Sequence, residues 1–357
     1  MRTHRVLFAI TLVIVSALGF AVFSASSLTD STPVFAQEGG SKLDAIRTRG
    51  VLNCGIDGAL PGFSNQNPDT GAMEGLDADY CRVVAAAIWG EVTADNINFV
   101  SLTANERFTA LQAGEIDVLI RNTTWTFTRD VDLGSDFGPT TFYDGQGLMV
   151  KVDLGVTAVE ELNGATFCST TGTTTEKNIS DLMNTLGFEW TLVGIEDTSA
   201  GIAAFEEGSC DVLTSDKSQL AALRSASSYP SSMEILGITL SKEPLGPMYL
   251  SDDVDFADVV NWAVYATFQA EEYCLNSENV DSMMGGTDPG IMRFLGEADG
   301  LGTLLGVNDS FAADIIRAVG NYGEIYERNV VPIGVPREGS LNDSWQNGGL
   351  LYSPAWR

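Results

Sequence analysis

The sequence predicts an α/β protein of two similar lobes, each a mostly parallel sheet flanked by helices, with a pair of hinge strands joining them. Three observations carry that expectation. Short β-rich runs alternate with stretches of helical spacing, one ten-residue helix-to-strand unit occurs twice, and two extended runs broken by Gly and Pro stand where a chain would leave one lobe and return to it.

The alternation begins at VLNCGI (51–56), an apolar run that ends at Asp57-Gly58 and reads as a strand. Residues 79–89 then repeat apolar side chains at helical spacing through Val83, Val84, Ala87 and Ile88. Residues 106–112 read as a second helix, stopped near Gly114, and 116–120 as a strand. The duplicated unit is ALQAGEIDVL at 110–119 and AFEEGSCDVL at 204–213, each a helix end, a glycine stop and a strand that opens on Asp. Two such copies fit two lobes better than one sheet, although Gly-x-x-Asp-Val is also a common helix-to-strand turn. Polar clusters follow both copies, Asn122-Thr123-Thr124 and Ser215-Asp216. Ligands of open α/β sheets bind beyond the carboxyl ends of strands, so two such ends define a cleft. Residues 142–150 and 238–250 are the hinge candidates. The chain after Leu250 reads as helical, apolar at intervals over 259–268 and 311–319, and is expected to pack back on the first lobe.

With 357 residues, 44% of them hydrophobic, the chain has enough apolar surface for a large core. A formal charge of −29 disfavours nucleic acid and anionic membrane surfaces, both of which select clustered Lys and Arg. Net acidity also favours a soluble monomer. The single histidine is His4, which excludes Ser-His-Asp and Cys-His catalysis and histidine zinc sites from the rest of the chain. No cofactor or metal is expected. The start of the chain, MRTHR followed by an almost wholly apolar 6–23 and by Val34-Phe35-Ala36, reads as an export signal over residues 1–36, cleaved after Ala36. An uncleaved anchor is the alternative, because the run is at the lower length limit for crossing a bilayer. No Cys follows it where a lipoprotein needs one. Export makes disulfides plausible among Cys54, Cys81, Cys168, Cys210 and Cys274. Four cysteines allow three connectivities, of which Cys54 with Cys81 and Cys168 with Cys210 stay within the proposed lobes, leaving Cys274 as a free buried thiol.

The motifs GALPGFS (58–64), RNTTWT (121–126), YDGQG (143–147), TGTTTE (171–176), GNYGEI (320–325) and GGL (348–350) together resemble the type II periplasmic binding proteins of polar amino-acid ABC importers, family 3 of the solute-binding proteins, and most closely their general L-amino-acid-binding branch. The resemblance runs from about Lys42 to the C-terminus. It implies the two-lobed type II periplasmic binding protein fold, with residues 37–145 and 244–357 in the first lobe and 146–243 in the second. It also implies an extracytoplasmic carrier, not an enzyme, that captures free L-amino acids and hands them to a membrane ABC permease.

Residue by residue, the resemblance implies that Arg129 clamps the ligand carboxylate, with Thr124 as a helping hydroxyl. A guanidinium fork suits that task, although Arg129 could also pair with Asp130 or Asp132. Gly172, Thr173 and Thr174 would receive the same carboxylate at a helix start, where capping by Thr and Glu176 is the plainer role. Asp216 would accept from the ammonium, and Asn122 would support it from across the cleft. Leu60 and Phe63 occupy the loop where the family places an aromatic against the ligand side chain. Leu60 at the usual aromatic position implies an adaptable apolar wall and broad specificity. The competing reading is an enzyme on this fold, a cyclohexadienyl dehydratase or lytic transglycosylase, with Glu74, Asp77 or Asp216 as acid or base; a sensor lobe serving a receptor is a further one.

Overall fold

The computed structural model describes residues 40–357, so the expected export signal and its cleavage after Ala36 lie outside the described residues. Among the described residues no helix is long and apolar enough to cross a membrane. Two five-stranded sheets organise the chain. The first runs in the order Ile97–Ser101, Leu52–Ile56, Val118–Leu119, Met248–Leu250, Ser135–Phe137, and the second Thr191–Ile195, Thr166–Thr170, Val212–Asp216, Gln146–Lys151, Met233–Ile235. In each, the first three strands are parallel and the last two join by antiparallel pairing. The antiparallel members include the strands that enter from the other lobe, Gln146–Lys151 and Met248–Leu250. They arrive from the cleft side, toward which the parallel strands point their carboxyl ends.

The duplicated unit occupies the same place in both sheets. Gly114 and Gly208, at φ +72° and +82°, end the preceding helices, a backbone conformation that glycine adopts without strain. The Asp that follows has one function in both copies. Asp117 donates its N–H to Asn53 O and accepts the Asn53 N–H on its carboxylate (2.8 and 2.9 Å), and Asp211 does the same with Thr166 (2.8 and 2.8 Å). Each Asp therefore pins the start of the third strand to the start of its central neighbour.

The lobes are connected by Phe142–Asp144 and Glu243–Leu245, which pair antiparallel with Glu243 opposite Asp144. The first lobe holds the larger core. Helix Val254–Glu272 packs beside Leu76–Trp89 and Phe311–Ala318, as the apolar spacing after Leu250 leads one to expect, and Trp356 stacks on Phe311 at 5.6 Å to seal the C-terminal end. Smaller apolar clusters cover the second sheet.

Disulfides join Cys54 to Cys81 and Cys168 to Cys210, each tying a central strand to a segment of its own lobe. Closing loops of 27 and 42 residues, they stabilise on a chain-entropy basis by roughly 3 to 4 kcal/mol each. Cys274 is free but exposed, which corrects the expectation of a buried thiol. It follows the end of the 254–272 helix at φ +55°, where the left-handed turn that stops a helix carries the side chain away from the packed face.

Candidate functional site

A small chamber lies where the carboxyl ends of both sheets meet. From the first lobe it is lined by Ala104, Arg107, Arg121, Asn122 and Thr124, and from the second by Thr170, the Thr173 to Thr175 helix start, Thr198, Ser215, Asp216 and Gln219. The lobes touch directly around it. Asn122 Nδ2 donates to Gln219 Oε1 (3.2 Å), Asn105 Nδ2 to Thr171 Oγ1 (2.9 Å) and Thr198 Oγ1 to Asp57 Oδ2 (3.2 Å). This is a closed arrangement of the cleft.

Five residues expected at the site, Asn122, Thr124, Thr173, Thr174 and Asp216, are brought together on the chamber wall. Asn122 has φ +32°, and its N–H is held by the carboxylate of Asp77 at 2.8 Å. Its side chain faces the second lobe in consequence. Arg129 is buried immediately behind the wall, where Nη1 donates to Thr124 O at 2.8 Å and the guanidinium lies 5.0 Å from the Phe108 ring. Burial lowers its pKa to about 10, against the pull of Glu243 and Asp216, so it remains a cation at neutral pH. No pairing with Asp130 or Asp132 occurs.

Thr173 is the N-cap of Thr174–Leu186. Its hydroxyl accepts the Glu176 N–H and also contacts Thr170 O, while the Glu176 carboxylate accepts the N–H of Gly172. The Thr174 hydroxyl donates to Glu243 at 2.9 Å. With these side chains committed, what the helix start offers the chamber is its unpaired backbone N–H groups, an anion-attracting end. Gly172 is exposed and outside the chamber; a Cβ there would lie 2.2 Å from Asn105 Oδ1, so its role is the close approach of the lobes.

Asp216 ends its strand and precedes helix Lys217–Ala226 without capping it. Asp144 from the crossing strand caps instead, accepting Ser218 N at 3.2 Å. Among the described residues the buried Asp216 carboxylate is thereby left without a hydrogen-bond partner, facing the chamber. Burial, then the neighbouring charges of Asp144 and Glu243, push its pKa well above the usual carboxylate range, with Arg129 and Arg107 opposing. The pocket thus holds a carboxyl group whose ionised form its own surroundings destabilise.

Two expected wall residues are elsewhere. Leu60 and Phe63 are fully buried in the first-lobe core, Phe63 edge-on to Phe142 at 5.3 Å, and neither lines the chamber. Their loop turns its apolar side chains inward because Gly62 and Phe63 supply carbonyls to the start of the 76–89 helix. Trp125 is exposed and stacked on Phe137. Among residues that the sequence reading passed over, Arg121 is held by Asp57 (2.6 Å) and Leu102 O (2.7 Å), and Arg107 is buried with no polar partner at its Nε. Arg107 shares a helix face with the buried Ala110 and Leu111. A cation on an apolar helix face is the sequence signal that could have found it.

Of the carboxylates considered for acid or base chemistry, Glu74 is exposed and holds Asn67. Asp77 is buried, and burial lifts its pKa to about 7 despite the Asn122 N–H and Arg121. Its pKa is higher folded than unfolded, so the folded state binds the extra proton between about pH 4 and 7 and stability falls as pH rises through that window. Asp77→Asn removes this term. The difference in melting temperature, variant minus parent, is expected to grow from pH 4 to pH 7 and then level; a difference independent of pH would contradict it.

Residues 52–278 match the family model of bacterial extracellular solute-binding proteins, family 3. The chain is 42% identical over 349 residues to a general L-amino acid-binding periplasmic protein of Rhizobium johnstonii, covering 96% of both chains. It is 42% identical over 321 residues to a glutamate/glutamine/aspartate/asparagine-binding protein of Rhodobacter capsulatus, covering 89% of this chain and 94% of that one. A solved ABC-transporter periplasmic binding protein from Brucella ovis, with glutathione bound, superposes with a TM-score of 0.85 at 41% identity, over 89% of this chain and 100% of that one. The two sheets, their antiparallel return strands and the cleft between them are the type II periplasmic binding protein fold. A family match across most of the chain, joined to relatives of this identity along nearly its whole length, makes it a member of the bacterial extracellular solute-binding proteins, family 3.

Proposed function

We propose that this protein captures free L-amino acids outside the cytoplasm, with broad reach, and delivers them to a membrane ABC permease. One observation carries the reading: the closed cleft buries a carboxyl group, Asp216, that has no hydrogen-bond partner among the described residues, near a guanidinium, Arg129, and an open helix N-terminus. Buried charges of opposite sign with unfilled valences complement a zwitterion. In this reading Asp216 takes the ammonium, with Asn122 beside it. Arg129, Thr124 and the Thr173 and Thr174 amides take the carboxylate. The lobes, assigned to residues 37–145 with 244–357 and to 146–243, close over the ligand by bending at the two crossing strands, and the closed form docks on the permease. No bond is made or broken. The protein acts as an exported monomer, freed of its signal after Ala36.

The relatives' names support an amino-acid ligand, and the Brucella ovis structure motivates a second reading, a tripeptide such as glutathione. The three direct lobe-to-lobe hydrogen bonds around a small chamber favour the single residue.

The test is a thermal-shift panel of the twenty amino acids and glutathione on exported protein stripped of ligand. Ligands that bind only the folded state raise the melting temperature, by about 2.7 kcal/mol of stability at a hundredfold excess over Kd. Several L-amino acids are expected to shift it, and Arg129→Ala to abolish the shift. No shift with any amino acid sinks the reading.

A further inference from the structure

Each of the two crossing strands is gripped by both lobes, at adjacent residues. On the first strand, residues 141–143 are bound to the first lobe. The Tyr322 hydroxyl donates to Thr141 O at 3.0 Å, and Phe142 stacks on Tyr326 at 6.0 Å. Both backbone groups of Tyr143 are taken by one side chain, for Asn342 Oδ1 accepts the Tyr143 N–H at 2.6 Å and Asn342 Nδ2 donates to Tyr143 O at 3.0 Å. From Asp144 onward the bonds go to the second lobe: Asp144 accepts Ser218 N (3.2 Å), and Gly145 O accepts Lys217 N (2.9 Å). The second strand changes lobes at the same level. Glu243 accepts from Thr174 (2.9 Å) and Asn178 (3.0 Å) of the second lobe, while Pro244 O accepts the Trp125 N–H of the first at 2.8 Å. Tyr143 stands opposite Pro244 and Asp144 opposite Glu243, so the change of lobe crosses both strands between the same two residue pairs. Proline fixes its own φ and restricts the residue before it, which stiffens the Glu243–Pro244 side. The bend therefore falls largely to the Tyr143–Asp144 junction, and Asn342 holds one side of it. Asn342 is 3% exposed and anchored in the first lobe, where Arg337 Nε donates to its O at 3.0 Å and Arg337 Nη2 to Glu271 of helix Val254–Glu272 at 2.8 Å. It lies beyond residues 52–278, the span of the family match.

We propose that Asn342 is a positioning residue for cleft closure: by fixing Tyr143 to the first lobe it confines the bend to the Tyr143–Asp144 junction and so sets the closing equilibrium for every ligand. The first lobe's limit on this strand then moves from Gly145 to Tyr143. Asn342 is not among the residues that line the chamber, so it acts on all ligands alike, through the fraction of protein in the arrangement that binds. With Tyr143 released, the bend spreads over several residues and the ligand-free lobes sample more relative arrangements. Closing then removes more freedom and is less favourable. The effect on affinity rests on the amino-acid-carrier reading; the effect on the hinge does not.

The experiment measures lobe-to-lobe distances by pulsed electron paramagnetic resonance on exported, ligand-stripped protein. One spin label sits on the native Cys274, exposed in the first lobe, and one on Ser231→Cys, exposed in the second. The same proteins are titrated calorimetrically with alanine, leucine, glutamine and glutamate. Asn342→Leu removes both bonds to Tyr143 at similar volume. Asn342→Asp keeps the acceptor for the Tyr143 N–H, sets a carboxylate oxygen against Tyr143 O, and carries the test if Asn342→Leu does not fold. Asn347→Ala is the control, since Asn347 holds Asp343 at 3.0 Å in the same segment without touching a crossing strand. In both Asn342 variants the ligand-free distance distribution is expected to broaden, while the ligand-saturated one matches the parent. Kd rises by one common factor for all four ligands, about fivefold to fiftyfold for the loss of one or two neutral hydrogen bonds. Asn347→Ala leaves distances and Kd unchanged. An unchanged ligand-free distribution overturns the proposal, as does a loss that differs among ligands or a broadening equalled by Asn347→Ala. A lower melting temperature with unchanged distances and affinities makes Asn342 merely structural and overturns it too. Binding of no amino acid by the parent is the failure of the carrier reading, and the ligand-free distances still decide the hinge.

Discussion

Asp216→Asn is expected to weaken the binding of every amino acid, acidic or neutral, by roughly 30-fold to several thousandfold, the range set by about 2 to 5 kcal/mol for removing one partner of a buried charge pair. The loss is uniform because the ammonium is the group all these ligands share. A pH dependence accompanies it. Burial, Asp144 and Glu243 hold the Asp216 proton on in the ligand-free protein, while Arg129 and Arg107 pull the other way. An arriving ammonium favours the ionised carboxylate, so the proton is released on binding. Affinity should therefore rise with pH, by up to about tenfold per unit, between the low pKa of the complex and the raised pKa of the free protein. Calorimetry in buffers of different ionisation enthalpy reads that proton directly. In Asp216→Asn the release disappears, and the ligand-free protein melts higher because folding no longer has to keep a proton on a carboxylate buried beside Asp144 and Glu243. Retention of proton release in the variant would move the linkage to Asp144, whose own pKa burial lifts to about 6.

The sequence made the fold legible wherever a local pattern had a single structural use. The repeated Gly-x-x-Asp is such a pattern, because Asp117 and Asp211 each grip the backbone of a central strand in the same manner. Legibility failed where a side chain's direction depends on tertiary packing. Leu60 and Phe63 look like ligand contacts by position, yet their loop is bent by the carbonyls it lends to a helix twelve or more residues later, and that bend points them into the core. Arg107 failed in the opposite sense. Its place on the apolar face with Ala110 and Leu111 is legible in the sequence, but nothing along the chain shows that Arg121 takes up Asp57 and Leu102 O, leaving Arg107 without a partner at Nε among the described residues. Asp216 was found, but not why it is free: Asp144, from the crossing strand, takes over the cap that Asp216 stands next to. No spacing along the chain encodes that exchange.

Gly75→Ala is expected to cost several kcal/mol and to leave little folded protein. Gly75 precedes helix Leu76–Trp89 at φ +126° and ψ 168°, in a region essentially reserved for glycine. A Cβ there would lie 2.1 Å from Phe63 O and 2.2 Å from Phe63 C. Those are backbone atoms, and they cannot swing aside. The crowding has a purpose, because this helix has no side-chain cap. The N–H groups of Asp77 and Ala78 donate to Phe63 O (2.8 and 3.2 Å), and that of Leu76 to Gly62 O (2.9 Å). Displacing Phe63 loosens three helix-start hydrogen bonds at once, each worth about 1 kcal/mol, in addition to the conformational strain. Gly71→Ala is the control, for Gly71 also has positive φ, +71°, but nothing lies within 4 Å of its Cβ position. It should cost only about 1 to 2 kcal/mol. Urea denaturation of both variants separates strain from collision: equal costs would show that the Phe63 backbone yields. The consequence extends to the ligand, because Asp77 in the first turn holds Asn122 N and so aims the Asn122 side chain at the second lobe. Whatever fraction of Gly75→Ala folds should bind amino acids less tightly than Gly71→Ala, although position 75 touches no part of the chamber.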